Sequence, residues 1–443
     1  MHGIQSEPYS ITQIYAFNIK FLPLDLMFNH FTYMALNYVW LAFFLISFVV
    51  AVCRLIFLHD TAVFTSVMNG MFESAKTGAE ISLGLVGIMT FWLGIMKVGE
   101  KGGMIGILAR LVDPFFSKLF PGIPKKHPAM GSVLMNFSAN ALGLDNAATP
   151  VGLKAMKQLQ ELNPEPEVAT DAQIMFLVLN TAGITLIPTS VIALRIAAGS
   201  ANAAEIFIPT LIGTFISFVS GLLAVALYQR INLLKAPIVL TLGTFCLAMV
   251  GLYFGMRNLT PEQIATYTAF VGGFVIFSII VSFLALGVIR KINVYDVFID
   301  GAKEGFQVSV TIIPYLVTML VAISTFRNTG CMDYVLNFIS SLFAAMGMNT
   351  DFVPALPVGL MKPLSGGAAR ALMVDILKTE GPDSFAGRLA SIIQGSTETT
   401  FYVLAVYFGS VNIKKTKYAL TCGLIADVVG LVAAIVLGYI FFH

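Results

Sequence analysis

The sequence predicts an all-α polytopic membrane protein made of two inverted repeats, each with a re-entrant hairpin and a partly unwound helix, with about nine spanning helices besides the two hairpins. Three observations predict it. Hydrophobic residues are 57% of the 443 and charged ones 11%, with mean hydropathy +0.85. A soluble protein carries about 25% charged residues, so most of this surface must face lipid or other helices. Apolar stretches of about 20 residues, the length that crosses a bilayer, recur along the chain. One ordered series of features also occurs twice.

Spanning candidates lie at 34–58, 79–98, 173–198, 206–229, 236–256, 265–289, 307–326, 389–410 and 418–441. Residues 1–60 read as an N-terminal interfacial segment plus the first span, 61–230 as the first repeat, 231–291 as two connecting helices and 292–443 as the second repeat. The first ~30 residues are aromatic and mixed, which suits a helix lying in the interface. They lack the basic region, apolar core and small-residue cleavage site of a signal peptide. Stretches 128–160 and 352–378 are apolar but interrupted, the first by Asn136, Ser138, Asn140, Asp145, Asn146, Thr149 and Pro150, the second by Pro354, Pro357, Lys362, Pro363, Ser365, Gly366, Gly367 and Arg370. Broken polar backbone at membrane depth survives only where protein buries it or it lines a cavity, so both are read as re-entrant hairpins.

The repeat runs in order. Ala75-Lys76-Thr77-Gly78 opens one apolar helix and Ala302-Lys303-Glu304-Gly305 another. An offset of 227 carries Gly78 onto Gly305 and Gly103 onto Gly330. Amphipathic stretches follow near 104–120 and 331–348, then the hairpins, with Ala147-Ala148 opposite Ala368-Ala369. Polar linkers come next, and then helices with polar centres, Asn180 to Thr185 and Gly395 to Thr400. One plain apolar helix closes each half. Basic loops at Lys97–Lys126, Arg230–Lys235, Arg290–Lys303 and Lys414–Lys417 all fall on the cytoplasmic side when each hairpin enters and leaves by the same face. That solution puts the N-terminus inside and the C-terminus outside, and it inverts the second half relative to the first.

Inverted repeats with broken helices serve alternating access, the site forming where freed N–H and C=O groups grip a polar solute. In the first hairpin, Asn136, Ser138, Asn140, Asp145, Asn146 and Thr149 form a solute- or ion-binding tip, or else a capping cluster that holds the hairpin. Gly143 permits the turn and Thr149-Pro150 starts the returning helix. In the second, Ser365, Gly366 and Gly367 present bare N–H groups beside Lys362 and Arg370, a nest for an anionic or carbonyl group, unless the two cations snorkel to the interface. Deep cations there would be balanced by Asp145 and Glu398. Glu398, flanked by Ser396 and Thr399, binds a hydroxyl or amine, carries a coupling proton, or pairs structurally with Lys362 or Arg370. Asn180, Thr181, Thr185, Pro188 and Thr189 mark the matching stretch of the first half, where Pro188 removes a helix hydrogen bond. Asp427 in the last helix reads as a satisfied acid bonded to a neighbouring helix.

At these motifs the first half, with Asn136-Phe137-Ser138-Ala139-Asn140 and Gly143 to Pro150, resembles bacterial spore maturation protein A. The second half, with Lys362-Pro363-Leu364-Ser365-Gly366-Gly367 and Gly395 to Tyr402, resembles spore maturation protein B. The resemblance covers nearly everything from residue 60 onward and makes the chain look like a fusion of the two. It implies membership of the nucleoside-recognition (Gate) group, distantly similar to concentrative nucleoside transporters and to the membrane part of the ferrous-iron transporter B. By position it implies solute contacts at Asn136, Asn140, Asp145, Asn146 and Thr149, at Asn180 and Thr181, at Ser365 and Gly366, and at Ser396, Glu398 and Thr399. The Gly-Gln-Thr-Glu hairpin motif that grips a base is absent, as are the iron transporter's GTPase domain and any Walker A string. A multi-pass protein of the bacterial inner membrane is implied, and a homo-oligomer, since nucleoside transporters of this plan are trimers.

Partners are therefore the bilayer, a small polar solute and a coupling ion. The net charge of +2 argues against nucleic acid. Cys53, Cys246, Cys331 and Cys422 stand singly and read as buried small hydrophobes, so no metal site or disulfide is expected. No HExxH, GxSxG or paired-His cluster suggests an enzyme or a cofactor. The alternative to transport is a membrane scaffold for envelope or spore-cortex maturation, although the longest polar loops are only ~10–15 residues.

Overall fold

The computed structural model describes residues 24–124, 127–143, 145–256, 259 and 261–443; among candidate residues, the side chains of Asp145 and Asn146 lie outside the described set, as does the N-terminal interfacial segment. Helices dominate, and the described residues contain no strand, only one isolated bridge between Val168 and Lys415. Outside the repeats are α1 (Leu24–Leu58), α9 (Ala236–Met256) and α10 (Pro261–Ile289). The first repeat contains α2 (Val63–Lys101), α3 (Met104–Leu119), hairpin α4 (Pro128–Ala141) and α5 (Asp145–Gln160), broken pair α6 (Asp171–Thr181) and α7 (Thr189–Ala197), and α8 (Phe207–Gln229). The second contains α11 (Val294–Asn328), α12 (Cys331–Ala345), hairpin α13 (Leu356–Met361) and α14 (Gly366–Thr379), broken pair α15 (Phe385–Ser396) and α16 (Thr400–Gly409), and α17 (Ala419–Phe442).

Six described helices are long and apolar enough to cross a membrane: Asn37–Leu58, Val63–Lys101, Ala203–Gln229, Thr266–Ile289, Val294–Asn328 and Ala419–Phe442. The hairpin arms are too short. At 1.5 Å per residue, the 14 residues of α4 or of α14 reach about 21 Å of a ~30 Å core. The candidate spans at 173–198 and 389–410 are each two helices with a break between them, so a partly unwound helix is what both halves contain.

Gly103 (φ 88°) and Gly330 (φ 83°) hold the left-handed conformation that turns each long helix into its amphipathic successor. The long helices pack antiparallel, because partners run in opposite directions: Gly78 meets Val317, Gly94 meets Phe298, and Gly301 meets Leu93 and Lys97. The contact is reciprocal. Gly78 faces Val317, and the equivalents one repeat away, Gly305 and Thr90, face each other. A two-fold relation between halves produces such self-complementary pairing. Helices α8 and α17 form a second antiparallel pair, with Gly221 against Ala426 and Ser217 donating to the Ala426 carbonyl at 3.0 Å.

The outer pieces of the broken helices are exchanged between halves. Val191, Ile192 and Leu194 of α7 share a buried cluster with Leu372, Met373 and Ile376 of the second hairpin. Leu404 and Phe408 of α16 share another with Val133 and Leu134 of the first hairpin.

Two expectations are corrected. The returning arm of the first hairpin starts at Asp145, with Pro150 inside it, rather than at Thr149-Pro150, because Gly143 (φ 73°) reverses the chain at once. Cys331 and Cys422 are buried, but Cys53 and Cys246 are exposed, since α1 and α9 lie on the outside of the helical body.

Candidate functional site

Each hairpin tip is tied to the break of its own half. The Leu186 N–H donates to the Ala141 carbonyl at 2.7 Å, and the Phe401 N–H to the Pro363 carbonyl at 3.1 Å. The two breaks then touch: the Glu398 N–H donates to the Thr181 carbonyl at 2.9 Å. The carbonyl freed at the end of α6 thus finds its donor in the unwound backbone of the other half, as buried backbone groups must. Pro188 N-caps α7, and the chain from Ala182 to Pro188 is non-helical, as its proline and polar residues predict.

The first hairpin carries an amide chain. Asn140 Nδ2 donates to Asn180 Oδ1 at 2.8 Å and to Asn136 Oδ1 at 3.4 Å. Asn136 Nδ2 donates to the Ala148 carbonyl at 2.8 Å, clipping the arms together, and to Tyr407 Oη at 3.4 Å on α16. Asn180 Nδ2 donates to the Phe176 carbonyl. Sequence reasoning did not find Tyr407, since nothing local marks it as a partner of a residue 271 positions away.

The remaining candidates divide. Ser138 and Ser396 are buried and donate back into their own helices, to the Leu134 and Ile392 carbonyls. Thr181 donates to the Val178 carbonyl. Ser365 is the N-cap of α14, accepting from the Ala368 N–H at 3.2 Å. Gly366 sits where a Cβ would come within 2.6 Å of Thr399 Oγ1, so the second hairpin's turn presses on the second break. Thr399 is buried, Thr149 and Arg370 are half-buried, and Glu398 is exposed between buried neighbours. Lys362 does not snorkel outward. It is 5% exposed, and its charge reaches Asp427.

Asp427 is more than the satisfied acid that its sequence context suggests. Oδ2 accepts from Thr400 Oγ1 at 2.7 Å, while Oδ1 is buried with no donor among the described residues.

A cavity of about 400 Å³ opens beside the first hairpin. It is walled by Met89, Trp92 and Met96 of a long helix, with the Lys97–Glu304 pair at 3.0 Å, and reaches the first hairpin at Gly143, Pro150 and Val151 and the first break at Thr189 and Ser190. Among the described residues no group of three His, Cys, Asp or Glu could hold a metal ion.

A four-residue ion cluster was not legible from the sequence. Arg195 and Glu205 are 0% exposed and joined at 2.7 Å; Glu205 also accepts from Arg388 Nε at 2.7 Å, and Arg195 donates to Asp383 at 3.0 Å. It fastens the end of the first broken helix to the second hairpin's exit loop. The reciprocal joint is mainly backbone: the Lys414 and Lys415 N–H groups donate to the Glu167 carbonyl at 2.9 Å, and the Ala169 N–H to the Lys415 carbonyl at 2.9 Å, with a Lys414–Glu167 side-chain ion pair beside them.

Spanning helices, paired hairpins and touching helix breaks define a multi-pass membrane protein of duplicated, transporter-like architecture. The chain belongs to the Gate family, described as nucleoside recognition, which matches residues 82–198 and 309–414. It is 48% identical over 159 residues to spore maturation protein B of Bacillus subtilis (strain 168), covering 36% of this chain and 88% of that protein. It is 42% identical over 187 residues to spore maturation protein A of the same strain, covering 42% of this chain and 92% of that protein. It is therefore a fused A- and B-like chain. Inner membrane protein YjiG of Escherichia coli (strain K12) is 36% identical over 81 residues, 18% of this chain and 51% of that protein.

Proposed function

We propose that this chain moves a small polar solute across the bacterial inner membrane by alternating access, binding it where the two helix breaks meet. The observation that carries the reading is the Glu398 N–H to Thr181 carbonyl bond, which joins the unwound segments of opposite halves beside an exposed carboxylate. Breaks at membrane depth provide unpaired backbone groups for a solute, and repeats of opposite orientation give two nearly equivalent packings. Half-buried Asn140, backed by buried Asn136 and Asn180, offers its amide oxygen from the first half; Glu398 and Thr399 offer oxygens from the second. The family's description as nucleoside recognition supports a nucleoside-like solute as the first to test. The inner-membrane relative supports the location.

Uptake into proteoliposomes tests this across nucleosides, nucleobases and short peptides, under sodium and proton gradients. One solute should accumulate with the native chain and not with Glu398→Gln. Failure of every solute under every gradient rejects transport. It would favour the alternative of a membrane scaffold in envelope or spore-cortex maturation, with which the spore-maturation names of the two Bacillus relatives agree.

A further inference from the structure

Asp427 is the one charged residue in the 24 of α17, and its side chain is 5% exposed. Oδ2 is held by Thr400 Oγ1, the first residue of α16, and Oδ1 is buried without a donor among the described residues. Its surroundings are unusual in a second way. One turn before it, a Cβ on Gly423 would lie 3.4 Å from Thr181 Oγ1, at the C-terminal end of α6. One turn after it, a Cβ on Gly430 would lie 2.6 Å from Thr397 Cγ2, at the C-terminal end of α15. The ends of both broken half-helices therefore lie against α17 on either side of this carboxylate. Helix C-termini carry partial negative charge, and half-helix C-terminal ends with unwound carbonyls are where coupling cations are held.

The formal charges agree with that polarity. The charged groups reaching Asp427 are Lys362, from the turn of the second hairpin, and Glu398, from the second break. Among the described residues, α6, α8, α10 and α15, which also pack on α17, bring it no other charge. Among the described residues a second carboxylate thus acts on Asp427 beside one ammonium, where two helix ends add partial negative charge.

We propose that Asp427 is the seat of a monovalent cation, H⁺ or Na⁺, bound where the C-termini of both half-helices meet the last helix. The shared chemistry is neutralisation of the carboxylate oxygen that no donor among the described residues reaches. The proposal rests on the transport reading and extends it by naming a coupling site on the helix against which both breaks lie, but binding is measurable without any solute.

The test uses the purified full-length chain in detergent, with choline as the reference cation. The thermal unfolding midpoint is followed as sodium replaces choline at constant ionic strength and pH, and separately as pH is varied over the neutral range without sodium. A saturable rise with sodium identifies Na⁺; a rise on acidification that sodium does not alter identifies H⁺. Either response should vanish in Asp427→Asn, which keeps the side-chain shape and an acceptor for Thr400. Thr400→Val, which leaves the carboxylate but removes the donor to Oδ2, should move the midpoint of the response by about tenfold in cation concentration. A wild-type response retained in Asp427→Asn overturns the proposal, as does a wild type that answers to neither cation. Should Asp427→Asn not fold, an unmoved midpoint in Thr400→Val overturns it as well. A cation response lost with Asp427 stands even when no solute is taken up, so failure of the solute reading and failure of this one are separate results.

Discussion

Glu398 differs from Asp427, a second carboxylate of the same half. Its backbone is fixed to Thr181 while its side chain is exposed, whereas Asp427 is buried and half-satisfied. Glu398→Gln should therefore abolish uptake and leave the unfolding midpoint nearly unchanged, because an exposed side chain contributes little to packing. Glu205 is the opposite case. It is 0% exposed and accepts from both Arg195 and Arg388. Breaking a buried pair strands a charge, so Glu205→Ala should cost about 3–5 kcal/mol in denaturant unfolding. Asp383 tunes the same cluster from the exit loop. Partial burial pushes its carboxyl up, but hydrogen bonds from Ser200 and the Ala201 N–H, with the charges of Arg195 and Arg388, outweigh this and hold it below the ordinary range. Its contribution is therefore complete above the unfolded-state value of about 3.9 and lost as pH falls through the lower folded value. The unfolding midpoint of the native chain should drop more steeply in that acid window than that of Asp383→Asn. Sequence reading reached Glu398 because a carboxylate in an apolar run stands out. It missed the Arg195–Asp383 pair, whose members lie 188 residues apart and carry no local signal of each other.

Elements were more legible than contacts. The breaks were written in Pro188 and in the polar run from Gly395 to Thr400, the hairpins in their interrupted polarity, and the long helices in their apolar length. The start of the first hairpin's returning arm was misplaced because proline is a good first residue of a helix, whereas here Gly143 had already turned the chain. The glycines of α2 and α11 are a separate lesson: spaced matches suggested repetition, but only the fold reveals that they let two backbones touch. A Cβ on Gly305 would stand 2.4 Å from the Met89 carbonyl oxygen, and backbone cannot move aside cheaply. Gly305→Ala should therefore destabilise the chain by about 1–3 kcal/mol. Gly87, which has open space around it, should accept alanine without loss. Comparing the two unfolding midpoints checks this.

At the scale of the molecule, the halves are interlocked rather than merely joined. Each gives the outer piece of its broken helix to the other's hairpin cluster, and each end is fastened to the other's exit loop, once by the buried ion cluster and once by the backbone bridge at Val168 and Lys415. The duplication could be read from the chain, since collinear motifs survive in one dimension. The exchange could not, since it is a property of how two repeats pack. Movement of such an assembly must carry both breaks together, and this makes the transport reading open to a direct check. Thr185, half-buried in the first break, is replaced by cysteine in a chain without its four native cysteines, and vesicles of each orientation are treated with a membrane-impermeant maleimide. Alternating access predicts labelling from both faces, and more slowly from each when a transported solute is present. Labelling from one face only, at a rate no solute changes, would contradict it.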